Sequence, residues 1–252
     1  MNRRTFIQCA SAAIAMRPYS SQGATRHLIF VIAAGGMRKK DYLANEFLAP
    51  NIHRMAREAF VFEEDHCERV ASHDTAFNEL LTGRECSGRS NAFPTILDYI
   101  GDGIEVDSIH QAPLVLKRSM PRIIVCRHGD CDVGHSSYEK YLRAVTATDT
   151  ATGRLLDWVK AHPYLGRHTA IVIRPEFGRD DEVNEHGHLH HSYGFHDTHR
   201  VASLFWGPDF NRGVDRKTVI ETLDMAPTLT RLFGVDAIHA QGRVVPGLLK
   251  MG

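Results

Sequence analysis

Long apolar runs are missing from this chain. Nowhere does it offer the roughly 20 consecutive apolar residues that a bilayer-spanning helix needs, so no transmembrane segment is expected. An excess of either charge is missing too. Lys+Arg is 30 and Asp+Glu is 30, a formal net charge of zero, and without a basic face nucleic acid is not an expected partner. Tryptophan is scarce, at 2 residues, and tyrosine stops at 7. The 5 cysteines nowhere form a CxxC pair, which excludes a zinc ribbon and a thioredoxin-type motif. Residues 25–252 also lack a Pro/Gly/Ser-rich linker, an internal repeat and a low-complexity stretch beyond one His-rich loop, so a single domain is expected there. What is present in excess is histidine, 16 residues of the commonest metal ligand. A hydrophobic share of 43 % and a charged share of 24 % are those of a folded globular chain.

The first residues read as an address. Residues 1–24, MNRRTFIQCASAAIAMRPYSSQGA, place Arg3 and Arg4 ahead of Phe6, then a short apolar stretch, then small residues. This pattern resembles a twin-arginine export signal and is set aside from the fold; it implies export to the periplasm. With Cys9 removed, Cys67, Cys86, Cys126 and Cys131 remain in a compartment where disulfides are permitted, with no pairing readable from spacing.

Apolar runs rich in branched residues predict buried strands at 27–34 (HLIFVIAA), 122–129 (RIIVCRHG), 169–176 (TAIVIRPE) and 200–207 (RVASLFWG), with shorter strands at 61–65 and 104–109. Helical spacing predicts helices at 50–60, 74–82, 93–100, 138–162 and 223–234, the last with Gly234 at its C-terminal cap position. Strands alternating with helices specify an α/β fold, a mostly parallel central sheet with helices on both faces.

In such sheets ligands bind beyond the carboxyl ends of the strands, which directs attention to the residues that follow them. The segment 128–135, HGDCDVGH, puts Asp130, Asp132 and His135 after the second buried strand; the residues suit zinc or a mixed oxygen/nitrogen metal site, or else a polar turn with an Asp as helix cap. Glu176 ends the third strand, and Arg179 follows one turn later as a fork for phosphate or sulfate oxygens, or as half of a surface ion pair. The segment 186–199, HGHLHHSYGFHDTH, carries His186, His188, His190, His191, His196 and His199; one loop aims at most two or three of them at one ion. Ser72 or Thr75 opens a helix whose free amides favour an anion, although a plain Ser72 cap satisfies the same pattern.

Several of these segments, taken in order, resemble the alkaline phosphatase superfamily, which includes the sulfatases. APNIHRMA is similar to that family's TPNLDRLA, SHDTAFNELLTGRE to the run from nucleophile into LLTGR, and DCDVGH to DxxGH. IVIRPEFG stands where the family has a strand ending in DHG, VASLFWGPDF where it has a WGPG-like turn, and MAPTLTRLFGV where it has its closing helix. The resemblance spans residues 26–235 and implies a three-layer sandwich and a metal-dependent hydrolase of small anionic esters, phosphate or sulfate, with a hydroxyl nucleophile. By the resemblance, Ser72 or its neighbour His73 occupies the nucleophile position. Asp130 or Asp132 with His135 matches the DxxGH ligands, Glu176 the Asp of DHG, and one of His186, His188 or His199 the late metal histidine.

The departures matter as much. Gly35 stands where the family's first Asp would be, Phe177 replaces the His of DHG, Cys131 falls four before His135, and strict spacing from LLTG puts His73 in the nucleophile slot. The expected cofactor is therefore one divalent ion rather than two, zinc first, with calcium, magnesium or manganese as alternatives. EFGR with Asn184 and histidines downstream also resembles a twin-arginine-exported branch of the superfamily. The missing ligands leave open a non-catalytic member of the fold that binds an anionic ligand or a partner.

Overall fold

The computed structural model describes residues 24–67, 72–86 and 92–250, so the segment read as an export signal lies outside the described residues apart from Ala24. The strands are β1 (His27–Ala33), β2 (Phe60–His66), β3 (Gly103–Val106), β4 (Ile123–His128), β5 (Thr169–Pro175), β6 (Arg200–Trp206), β7 (Gly213–Asp215) and β8 (Ile220–Glu221). They make one sheet in the order β3-β4-β1-β5-β6-β2-β7, with β8 also pairing β2. Strands β3, β4, β1 and β5 are mutually parallel. Strand β6 runs antiparallel to β5 and β2, while β7 and β8 are parallel to β2. The sheet is thus mostly parallel, as expected, with one reversed strand inside it.

The helices are α1 (Lys39–Tyr42), α2 (Pro50–Ala56), α3 (His73–Thr82), α4 (Ile96–Ile100), α5 (Ala112–Ser119), α6 (Tyr138–Ala161), α7 (Leu165–His168) and α8 (Met225–Arg231). Strand periodicity sorts them onto two faces. Leu28, Phe30 and Ile32 of β1 pack with Phe77 and Leu80 of α3, Ile96 of α4 and Leu229 of α8. The alternate residues Ile29, Val31 and Ala33 pack with Ile52 and Met55 of α2, Leu116 of α5 and Tyr141, Val145 and Leu155 of α6. Each such side chain contributes roughly 1.5–3 kcal/mol on burial, so β1, buried along its whole length, is a firm base for the turn beyond it.

Several elements differ from the sequence expectation in extent. The helix expected at 50–60 stops at Ala56, because Phe60 already belongs to β2. The helix at 93–100 starts at Ile96, behind a Thr95–Asp98 capping box. The strand expected at 104–109 ends at Val106, and the chain then turns through Ile109–Gln111 into α5, which sequence reading left out. Among the described residues no helix is long and apolar enough to cross a membrane.

One polar element lies inside the layers. Arg174 of β5 is fully buried and pairs with both oxygens of buried Asp65 on β2, at 2.8 and 2.7 Å. It also donates to Thr222 Oγ1 (3.0 Å) and to the carbonyls of Pro175 (2.8 Å) and Glu176 (3.2 Å). Ser203 of β6 donates to the same Asp65 carboxylate. This pair ties β2, β5 and β6 together just below the carboxyl edge and fixes the backbone on which Glu176 stands.

Candidate metal centre

The ends of β1, β4 and β5 lie abreast, because Ala33 is in register with both His128 and Pro175. Three turns leave this line of strand ends. Gly35 and Gly36 follow β1, a 3-10 turn Cys131–His135 follows β4, and Glu176 to Arg179 follow β5. On the α3 side, Ser72 takes the N-cap position with extended backbone, and His73 is the first helical residue.

Glu176 is the anchor. It is fully buried, and its Oε1 accepts from Gly35 N (2.6 Å) and faces His73 Nδ1 at 2.5 Å. Its Oε2 is buried without a partner. The carboxylate holds the His73 imidazole by Nδ1 and directs Nε2 to Asp132 Oδ1, 3.2 Å away. Two further imidazoles converge on that oxygen: His135 Nε2 at 3.2 Å and His191 Nε2 at 3.4 Å, with 2.7 Å between the two nitrogens. The donor atoms of His73, Asp132 and His191 all lie within 4.8 Å of one another. Nitrogen and carboxylate donors gathered at that spacing suit a zinc-class ion, and the pairing of His73 Nδ1 with a buried carboxylate is the orienting contact that metal-bound imidazoles usually make.

The electrostatics follow from the same contacts. The hydrogen bond to Glu176 raises the pKa of His73, against its burial. Burial opposes ionisation of Asp132, but His73, His135 and Arg179 together outweigh it and hold the carboxyl below its ordinary value. His191 is pushed down to about 4, first by burial and then by the Arg179 charge, so at neutral pH the ring is uncharged and one of its two nitrogens keeps a free lone pair. Burial also lowers His135, with Asp132 working in the opposite direction.

The sequence candidates divide by position. The structure brings together His73, Asp132, His135 and Glu176. Glu176 sits behind His73, with Oε1 engaged by Gly35 and His73, and is not one of the grouped donors. Arg179 is fully buried and turned inward. It donates to the carbonyls of Gly35 and Gly36, to Leu189 O (2.6 Å) and to Asp132 Oδ1 (3.0 Å), so it clamps three loops and does not face solvent as a fork for anions. Asp130 is exposed at the start of the 3-10 turn, and its carbonyl accepts from Val133 N. His186 is exposed beside Glu185. His188 lies between His186 and His190, with both ring centroids 6.0 Å away. His199 is tied to the backbone carbonyls of Cys67 and Tyr193, both at 2.7 Å. Ser72 makes no side-chain cap bond. In place of the late histidines favoured by resemblance, the loop supplies His191, with His190 behind His135 at 2.6 Å between Nδ1 atoms. Both stood in the His-rich segment, but spacing along a loop does not show which rings turn inward.

The departures at Gly35 and Phe177 have a steric basis. Gly35 has φ +84°, and a Cβ there would come 2.2 Å from Asp132 N, so no carboxylate fits on this backbone. The buried Phe177 ring lies against His73 (5.2 Å between centroids) and His191 (4.8 Å), filling the space beneath the cluster with an apolar face.

The sequence matches no protein-family model and no curated protein. Solved structures do resemble it in fold. The lipoteichoic acid synthase LtaP from Listeria monocytogenes superposes with a TM-score of 0.68 at 11 % identity, over 90 % of this chain and 76 % of that one. A protein in complex with its substrate D-glucosamine-2-N,6-O-disulfate gives 0.66 at 11 % identity, over 89 % and 82 %. A protein of the alkaline phosphatase superfamily from Vibrio parahaemolyticus gives 0.61 at 17 % identity, over 88 % and 70 %. The fold is alkaline phosphatase/sulfatase-like.

Proposed function

We propose that a chain with this fold and this donor cluster is an exported, metal-dependent hydrolase of a phosphate or sulfate ester, using one divalent ion of the zinc class. The observation that carries the reading is the convergence of three imidazole nitrogens on Asp132 Oδ1, at 3.2, 3.2 and 3.4 Å, at the carboxyl edge of the sheet. His73, Asp132 and His191 would hold the ion, with His135 adjoining. Nitrogen donors weigh against calcium and magnesium, which prefer all-oxygen shells. When bound, the ion supplies Lewis-acid stabilisation of the charge that builds on the ester oxygens.

The rest is the work of the chain. Glu176 orients His73, Arg179 steadies Asp132 and the His-rich loop, and Phe177 keeps water from the underside of the cluster. Ser72, adjoining His73 and not engaged in capping α3, is the proposed hydroxyl nucleophile. Residues 25–252 are read as one domain with this activity, behind a twin-arginine segment at 1–24 that would deliver it to the periplasm. The test is turnover of aryl phosphate and aryl sulfate by the zinc-loaded protein. Activity lost in both Ser72→Ala and His191→Ala, with zinc retained by Ser72→Ala, supports the reading; full activity in Ser72→Ala contradicts the hydroxyl nucleophile.

Gly35 and Phe177 favour a second reading, a non-catalytic member of the fold that binds an anionic ligand or partner. Two positions where the resemblance implies metal ligands carry none. Tight binding of phosphate or sulfate esters without turnover would select this reading over hydrolysis.

A further inference from the structure

We infer that the histidines of residues 186–191 and His135 form a loading path that takes up a zinc-class ion at the surface and passes it to the inner cluster. The inference rests on the proposed inner site. Successive ring centroids are 6.0 Å apart from His186 to His188, 6.0 Å from His188 to His190, and 4.8 Å from His190 to His135. They are then 4.5 Å apart from His135 to His191 and 5.0 Å from His191 to His73. Two imidazoles on one tetrahedral zinc ion, with Zn–N near 2.0–2.1 Å, have centroids roughly 5 Å apart. The three inner steps are close to that spacing and the two outer ones about 1 Å wider, and His135 presents Nδ1 to His190 and Nε2 to His191, so a turn of the His135 ring hands an ion from the outer rings to the inner ones.

Side-chain exposure falls from 70 % at His186 to 39 % at His135 and 12 % at His191, with His73 beyond it at 33 %. The outer rings do not hang on a slack loop. Asn184 Oδ1 accepts from His186 N and His188 N, both at 3.0 Å, and Asn184 N donates to His188 O at 2.9 Å. The turn docks on α6 through Tyr138 N to Gly187 O (2.8 Å) and on the 3-10 turn through Leu189 N to Gly134 O (2.8 Å). Glu185, 3.5 Å from His186 Nε2, adds a carboxylate at the mouth. Imidazole donors select zinc, copper, nickel or cobalt over magnesium and calcium.

The experiment uses metal-free mature protein without a histidine tag and cobalt(II) as the probe, whose visible absorption reports on the inner site. At limiting cobalt, His186→Ala/His188→Ala should load the inner site at least about tenfold more slowly than the unaltered protein, because the high local concentration of ion is lost. The amount bound at equilibrium should be unchanged. His191→Ala should lose the tight inner absorption and keep weak outer binding that the double variant lacks. Equal loading rates in the double variant and the unaltered protein overturn the path while leaving the inner site standing. Absence of tight cobalt in the unaltered protein at equilibrium overturns the inner site, and the path with it.

Discussion

At the scale of single residues, the site is defined as much by what Gly35 forbids as by what His73 and His191 offer. Restoring the carboxylate that the resemblance implies, by Gly35→Asp, should not add a second ion. The new Cβ would meet Asp132 N at 2.2 Å on a backbone with φ +84°, so the 3-10 turn must move. The expected result is a lower melting temperature and weaker zinc binding; a rise to two ions per chain in elemental analysis would refute the steric account. Glu176→Gln tests the other side of the cluster. The amide oxygen can still accept from Gly35 N and His73 Nδ1, but without the negative charge that strengthens the His73 imidazole as a donor to the ion; partners of this kind are typically worth 10–100-fold in affinity, and about that loss is expected in a zinc competition titration. Unchanged affinity would show that His73 is not held through Glu176. The sequence pointed to Asp132, His135, Glu176 and the histidine loop because residue type and place after a buried strand are visible in it. It did not separate a grouped donor such as His73 from the residue that orients it, because that depends on which oxygen of Glu176 meets which nitrogen of His73.

At the scale of elements, continuous apolar runs such as HLIFVIA and TAIVIRP made β1 and β5 legible, since strands buried on both faces need no alternation. Strands β7 and β8, three and two residues long, carry no such run and exist through pairing with β2. Helix α5 was hidden by Pro113 near its start and by the mixed residues around it. The join between β4 and the turn before α5 gives a pH-dependent prediction. His128 Nδ1 accepts from Ile109 N at 3.2 Å, and burial, with His110 beside it, pushes its pKa from 6.5 down to about 4. Between those values the unfolded chain binds a proton that the folded chain does not, so this contribution is whole above pH 6.5 and is lost as pH falls toward 4. Urea midpoints at about pH 7 and pH 5 should differ less in His128→Gln than in the unaltered protein. An equal difference in both would contradict the assignment.

At the scale of the whole molecule, the candidate site lies at the carboxyl edge of the sheet, and the buried Arg174–Asp65 pair joins β2, β5 and β6 beneath it. Removing one partner leaves a buried charge unpaired, so Arg174→Leu should destabilise the fold by about 3–5 kcal/mol in urea unfolding. The double variant Arg174→Leu/Asp65→Leu should recover part of that loss; a double variant as unstable as the sum of the singles would deny the coupling. The α/β class was legible from strand–helix alternation, whereas the reversal of β6 was not, because RVASLFW reads the same in either direction of pairing. The chain shares its fold with sulfatase-like and alkaline phosphatase-like structures.

The most direct test is elemental analysis of the untagged protein, with His73→Ala and His191→Ala prepared in parallel. The account predicts about one zinc-class ion per chain, lost in each variant while the fold is retained, as three protein ligands on one ion require. No bound metal after reconstitution with zinc, or variants that keep as much metal as the unaltered protein, would contradict it.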